Sequence, residues 1–138
     1  MTDHLPVFEF AFPGPLRDQL VAAVLSGAKT TTTGLLADYE IGNEPLPQRG
    51  ERFAVIDSAG DRVAVIETLE VRVLRVGDID LDHAIGEGEG YTSVAEWRAG
   101  HENYWNGAAY RGWRGDPEFT VDDDTVAVLE KFRLVPGN

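Results

Sequence analysis

The sequence predicts an α+β fold: a small, mostly antiparallel β barrel with helices packed against it. Three observations carry this reading. The elements run strand, helix, long loop, three strands, helix, strand, without the strand–helix alternation of a doubly wound sheet. The extended run Val63 to Val76 is too long for one flat strand, so a bend or bulge is expected near Thr68 to Glu70, the device by which sheets curl. Two amphipathic helical stretches supply apolar stripes to cover the sheet.

Each element has a local reason. Val7 to Phe12 alternates as a short strand, and Pro13-Gly14-Pro15 breaks it. A helix then starts, because proline is tolerated in a first turn. Leu16, Leu20, Val21, Val24 and Leu25 form its stripe, with Arg17, Asp18 and Gln19 facing out. Gly27 is free to take the left-handed conformation that ends a helix. Leu35 to Arg49, broken by glycine, proline and acidic residues, reads as a long loop, and such loops tend to bind or cover sites. Arg52 to Asp57 forms a hairpin with the strand that begins at Arg62. Leu81 to Ile85 fits one helical turn. Gly86-Glu87-Gly88-Glu89-Gly90 is irregular, and its backbone is free to approach a ligand closely. Ser93 and Glu96 form a capping box for the second helix, whose shared face holds Val94, Trp97, His101, Tyr104 and Trp105. Gly112 to Pro117 reads as a loop carrying Trp113. Thr125 to Val135 is the last strand, with Val126, Val128, Phe132 and Leu134 on one face.

At 138 residues and 43% hydrophobic content, the chain reads as one domain, 1–138, with enough apolar material for a core. No apolar run approaches the roughly 20 residues that span a bilayer, so no membrane partner is expected. Met1 to Pro6 lacks the basic and apolar regions of a secretory leader. With no cysteine, disulfides, thiolate metal sites and cysteine nucleophiles are excluded together, which fits a cytoplasmic place. A net charge of −12 repels polyanions at long range. It argues against extended duplex DNA and for a small substrate or a short nucleic-acid segment.

One stretch stands out for chemistry: Gly27-Ala28-Lys29-Thr30-Thr31-Thr32-Thr33-Gly34. The chain has two lysines against ten arginines, and one of the two lies beside four hydroxyl side chains. A desolvated lysine can act as a base, which arginine cannot. Two readings are open: a threonine-rich strand with an exposed lysine, or a nucleophile beside its base. Glu87 and Glu89 lie between glycines, where a buried carboxyl can be tuned toward neutrality for proton transfer. Asp78, Asp80 and Asp82, with Glu89 at the twelfth place, imitate a calcium loop, but His83 stands where the turn needs glycine, so a solvated acidic turn is preferred. His4, His83 and His101 show no metal spacing, and His101 reads as a core histidine. Trp113, flanked by Arg111 and Arg114, is the best residue for stacking on a base.

Taken together, four segments resemble the ASCH domain family, relatives of the PUA fold. They are Gly27-x-Lys29-Thr30-x-Thr32; Tyr39-Glu40 with Glu44-Pro45-Leu46-Pro47-x-x-Gly50; His83-Ala84-x-x-Glu87-Gly88-Glu89-Gly90; and Ser93-Val94-x-x-Trp97-Arg98 with His101. The resemblance implies a PUA-like pseudo-barrel of about five or six mostly antiparallel strands with flanking helices and a cleft. It implies amide hydrolysis on an acylated nucleoside such as N4-acetylcytidine, with Lys29, Thr32 and Glu87 as the catalytic set. Thr30, Thr33, Tyr39, Glu89 and Trp113 are expected to bind the substrate. In this reading Lys29 deprotonates Thr32, Thr32 attacks the acyl carbon, and Glu87 protonates the leaving amine. No metal or other cofactor is called for. The alternatives are an RNA-binding module and a ribonuclease acting on short single-stranded RNA. Gly34 stands where the small amidohydrolases of the family have arginine, and Tyr91 where longer relatives have aspartate.

Overall fold

The computed structural model describes residues 5–136, so the expectations made for His4 and for residues 1–4 lie outside it. The elements are β1 (Val7–Phe8), α1 (Pro15–Ser26), β2 (Thr31–Leu35), α2 (Leu36–Ile41), β3 (Arg52–Ile56), β4 (Arg62–Arg75), a short 3-10 turn, α3 (Leu81–Gly86), α4 (Val94–Trp105), α5 (Ala108–Arg114) and β5 (Val126–Leu134). The five strands form one mixed sheet in the order β1-β3-β4-β5-β2. β1 runs parallel to β3, and the other pairings are antiparallel. The fold is α+β. The expected barrel does not close by strand pairing, because β1 and β2 remain the two edges of the sheet.

β4 organises the sheet. Its first part pairs with β3 and its longer second part with β5, and the register shifts between Thr68 and Glu70, where the sequence required a bend. One extra residue there twists the strand and lets the sheet curl. β5 lies between β4 and β2, so both its edges are paired. Its two faces meet the two apolar cores, so Ala127, Val128, Leu129, Glu130 and Phe132 are all buried. The alternating face expected from Val126 to Leu134 therefore fails at both ends, where those two residues are exposed.

Two apolar cores lie on the two faces. Leu20, Val21 and Val24 of α1 pack with Phe10, Val55, Ile66 and Phe132 on one side. Leu35, Ala84, Trp97, Trp105, Tyr110, Ala127 and Leu129 fill the other. Leu16 and Leu25, expected in the stripe of α1, are exposed. Arg17, expected outside, is buried and hydrogen-bonds the carbonyls of Phe10 and Ala11. Those carbonyls belong to a segment just past β1 with no strand partner, so the arginine satisfies acceptors that a sheet would have satisfied.

Three more expectations change. The stretch read as a loop from Leu35 opens with α2, a helix with no buried residue. Trp113 lies in helix α5, ended by Gly115 in the left-handed conformation, with Tyr110 donating to Asp38 of α2. Half of the capping box forms: the Ser93 hydroxyl accepts from the Glu96 N–H, but the Glu96 carboxylate takes the N–H and hydroxyl of Thr92 instead. Among the described residues no helix is long and apolar enough to cross a membrane.

Candidate active site

β2 is built from the threonine run, and strand geometry divides its side chains. Successive residues point to opposite faces. Thr31 and Thr33 turn toward α3: the Thr31 hydroxyl donates to the His83 carbonyl at 2.8 Å, and Thr33 Oγ1 lies 2.7 Å from His83 Nε2. Thr32 takes the other face, opposite Glu130 of β5 in the antiparallel register.

On the α3 face, Glu87 is the centre. It follows α3 in the glycine-rich loop, and Gly88 brings that loop against the chain at Lys29. A Cβ on Gly88 would lie 2.8 Å from the Lys29 Cα, and its φ of +72° already favours glycine. Lys29 Nζ donates to Glu87 Oε1 at 2.9 Å and to the Glu87 carbonyl at 3.2 Å. Thr33 Oγ1 donates to Oε2 at 2.7 Å, and Trp97 Nε1 donates to the same oxygen at 2.9 Å. His101 Nε2 lies 3.2 Å from Oε2, with its ring stacked on Trp97 at 4.3 Å between centroids. Burial opposes the charge of Glu87, but the Lys29 cation and the hydrogen bonds of His101 and His83 outweigh it. They hold the carboxyl well below its usual range.

The Thr32 face differs. Glu130 is 2% exposed, and the one hydrogen bond to its carboxyl among the described residues comes from Thr68 Oγ1 at 3.1 Å, to Oε1. No fully buried side-chain oxygen among those residues lacks a partner, so Oε2 is not wholly enclosed, and the residue lines the cleft. Burial raises this carboxyl first; the Thr68 bond lowers it and the nearby Glu51 raises it again, to about 7. Tyr39 of α2 covers Gly34, where a Cβ would meet its ring at 3.5 Å. Burial first, then Glu130, pushes the Tyr39 hydroxyl up.

Both faces open on one cleft of about 780 Å³ that wraps the β2 edge. Lys29, Thr32, Thr33, Tyr39, Glu87, Glu89, Trp113 and Glu130 all line it. Thr30 is the exception among the expected site residues: it is exposed, and its N–H holds the Gly86 carbonyl at 2.7 Å. Glu89 is half-buried, and its carboxyl is raised by burial first, with Lys29 opposing and Glu87 adding. Trp113 is 48% exposed at the rim.

The proton roles read from sequence meet an obstacle here. Both Lys29 Nζ hydrogen bonds go to Glu87, its ammonium also lies 5.6 Å from the centroid of the Phe10 ring, and Thr32 makes no hydrogen bond to that pair. Glu87, held ionised, carries no proton for a leaving amine at neutral pH. Glu87, Glu89 and His101 present ligand atoms within 4.8 Å of one another, enough for a cation, but the Lys29 ammonium already balances Glu87. The calcium-loop resemblance dissolves: Asp80 caps α3 and pairs with Arg72, and Asp78 pairs with Arg75.

Sequence reasoning missed Glu130 as a site residue and gave His83 no role there. Glu130 had a usable mark, a lone carboxyl between Val128 and Phe132 on an inward strand period. His83 and His101 stood within the segments that carry the family resemblance, but nothing local assigned either of them a role.

Over residues 9–136 the chain matches the family model of the ASCH domain. Its fold is similar to the crystal structure of an Enterococcus faecalis protein, with a TM-score of 0.80 and 22% identity over 94% of this chain and 76% of that one. An ASCH domain from Lactobacillus crispatus gives a TM-score of 0.78 and 25% identity over 94% of this chain and 78% of that one. Among curated proteins none matches.

Proposed function

The chain belongs to the ASCH domain family, and from that premise we propose that it hydrolyses the amide bond of an acylated nucleoside such as N4-acetylcytidine. Lys29, Thr32 and Glu87 form its catalytic set, and its curled sheet is read as the pseudo-barrel of PUA-like domains. One observation carries the proposal. An ion pair buried on both sides, Lys29–Glu87, opens on the same cleft as a threonine hydroxyl, that of Thr32, with no hydrogen bond among the described residues. Buried ion pairs are poor devices for stability. Buried charge partners in a cleft are a mark of functional sites. A cleft of about 780 Å³ lies within the range of small-molecule sites.

In this reading Thr32 Oγ1 attacks the acyl carbon. Charge develops on the acyl oxygen, and the Lys29 cation, which lines the same cleft, stabilises it. Glu87 fixes Lys29 and keeps it facing the cleft. Thr33 serves the substrate indirectly, by anchoring Glu87. Tyr39, Glu89 and Trp113 surround the nucleoside, with the Trp113 ring offered for stacking.

Trp113 also favours a second reading, short single-stranded RNA laid across the rim. The neighbouring arginines support it less, since Arg111 donates to the Phe119 carbonyl and Arg114 stacks on the Phe119 ring at 3.8 Å. RNA affinity falling steeply with added salt would favour this second reading.

The test is cytidine release from N4-acetylcytidine by wild type, Lys29→Ala and Glu87→Gln. Turnover by wild type and its loss in both variants is expected. A folded wild type that releases no cytidine overturns the substrate assignment.

A further inference from the structure

We propose that Glu130 is the proton-transfer residue for Thr32, so that the nucleophile and its base are cross-strand neighbours on β2 and β5. This rests on the amide-hydrolysis reading and supplies the proton path it lacks. Three observations lead there. First, Thr32 and Glu130 are register partners in an antiparallel pair, and such partners hold their Cβ atoms about 4.5–5.5 Å apart on one face. Second, Glu130 is buried with one carboxyl oxygen anchored by Thr68, and it lines the same cleft as Thr32, with no hydrogen bond to its other oxygen among the described residues. Third, the other buried carboxylate in the cleft, Glu87, is committed to four side-chain partners on the opposite face of β2.

Glu89, the remaining cleft carboxyl with a raised pKa, clusters with Glu87 and His101 and so lies on the wrong side of the strand for Thr32. The charged or titratable groups acting on Glu130 are few. Glu51, just before β3, adds a like charge, and Tyr39 faces it from α2. Thr68 of β4 contributes a hydrogen bond and no charge. A carboxyl in such surroundings titrates close to neutral pH, at about 7. That is where a group that must both take and return a proton works best.

The step balances with water as the only co-reactant. The Glu130 carboxylate takes the proton of Thr32 Oγ1 as the Oγ1–carbon bond forms. The carbon–nitrogen bond breaks, and the nitrogen leaves with that proton, which gives the free amine and an acyl ester on Thr32. A water molecule then gives a proton to Glu130 as its oxygen attacks the ester carbon. The carbon–Oγ1 bond breaks, and Glu130 returns the proton to Thr32 as the carboxylic acid departs.

The test uses p-nitrophenyl acetate, an activated acyl donor that needs a nucleophile and a base but no nucleoside pocket. Acetylation of Thr32 is followed by mass spectrometry and p-nitrophenol by absorbance, across pH 5 to 9 as the chosen range. Wild type is expected to acetylate Thr32 with a rate that rises with pH through about 7, because the carboxylate is the active form. Glu130→Gln, whose amide oxygen still accepts from Thr68, is expected to lose roughly 10²–10⁴-fold in rate together with the pH limb. Glu130→Asp, which keeps the carboxyl, is expected to retain the limb at an intermediate rate, and this guards against a folding defect. Acetylation of Thr32 by Glu130→Gln at the wild-type rate, or no acetylation of Thr32 in wild type, overturns the proposal.

N4-acetylcytidine run beside it separates the two readings. Equal cytidine release by wild type and Glu130→Gln removes Glu130 and leaves the nucleoside assignment. Acetylation of Thr32 that depends on Glu130, without cytidine release, removes the nucleoside and leaves Glu130.

Discussion

Glu87 and Glu130 are each 2% exposed, and both line one cleft, yet their chemistry is opposite. Glu87 is surrounded by side chains of several elements: Lys29 before β2, Thr33 on β2, and Trp97 and His101 on α4. Glu130 has one donor, Thr68, and a like charge nearby. Burial is the first influence on both, and in both it raises the pKa. What separates them is the partners, which overwhelm burial in one case and leave it standing in the other. One face of β2 therefore holds a fixed charge, and the other holds a group ready to exchange a proton.

The strongest way to break this comparison is to remove the cation. Lys29→Ala leaves Glu87 buried with its charge unbalanced, and breaking such a pair typically costs roughly 3–5 kcal/mol. Urea denaturation at neutral pH is expected to show a loss of that size. A loss under about 1 kcal/mol would mean that the hydrogen bonds alone carry Glu87. In that case the two faces do not differ by their charge partner.

The next effect has the opposite sign. Glu130 is raised in the folded protein from 4.5 to about 7, so the folded state binds its proton more tightly than the unfolded chain does. Its contribution is fully present below pH 4.5 and is lost as pH rises through about 7. At about 1.4 kcal/mol per pKa unit this amounts to roughly 3 kcal/mol. Glu87 behaves in reverse: its folded pKa is depressed, so its contribution is present above 4.5 and lost as pH falls through the folded value. Glu130→Gln is thus expected to be more stable than wild type at pH 8, by up to about 3 kcal/mol, with the difference vanishing near pH 4.5. Stability curves of the two proteins that run parallel from pH 4.5 to 8 would remove the contrast. The expected gain in stability with loss of acyl transfer is the usual trade at a working site.

A smaller effect tests the anchoring of Glu87. Thr33→Ala removes one charge-assisted bond from Oε2 and leaves Lys29, Trp97 and His101 in place. The expected cost is about 1–2 kcal/mol, read by the same denaturation. Cytidine release should fall less than in Lys29→Ala, because the cation stays.

Much of this was legible from sequence, for physical reasons that differ by element. The bulge at Thr68 to Glu70 followed from strand length, and the Gly27 stop at φ +84° followed from glycine's freedom. The convergence of Lys29 and Glu87, 58 residues apart, came from the family resemblance and not from spacing. The helix at Trp113 was hidden because Gly112 and Gly115 read as breakers, whereas Tyr110 and its bond to Asp38 anchor that segment. Arg17 was hidden because helical periodicity takes no account of the carbonyls left open after β1. The division of the threonines between two faces depended on knowing that the run is a strand. Its register with β5 is a long-range pairing that no local pattern carries.

That division gives the smallest expected effect on stability and the sharpest on chemistry. Thr32 and Thr33 are both part-buried, but Thr32, unlike Thr33, makes no side-chain hydrogen bond among the described residues, so Thr32→Ala strands no partner. Its stability should stay within about 0.5 kcal/mol of wild type, the range of substitutions that touch no special feature. Acetylation from p-nitrophenyl acetate at that position is nevertheless expected to vanish, and Thr32→Ser to restore it. The reverse pattern, with acyl transfer surviving in Thr32→Ala and failing in Thr33→Ala, would move the nucleophile to the Glu87 face. Such a result makes the Lys29–Glu87 pair the direct activator of a hydroxyl that it already touches through Oε2. Glu130 then becomes a buried acid with no part in the reaction.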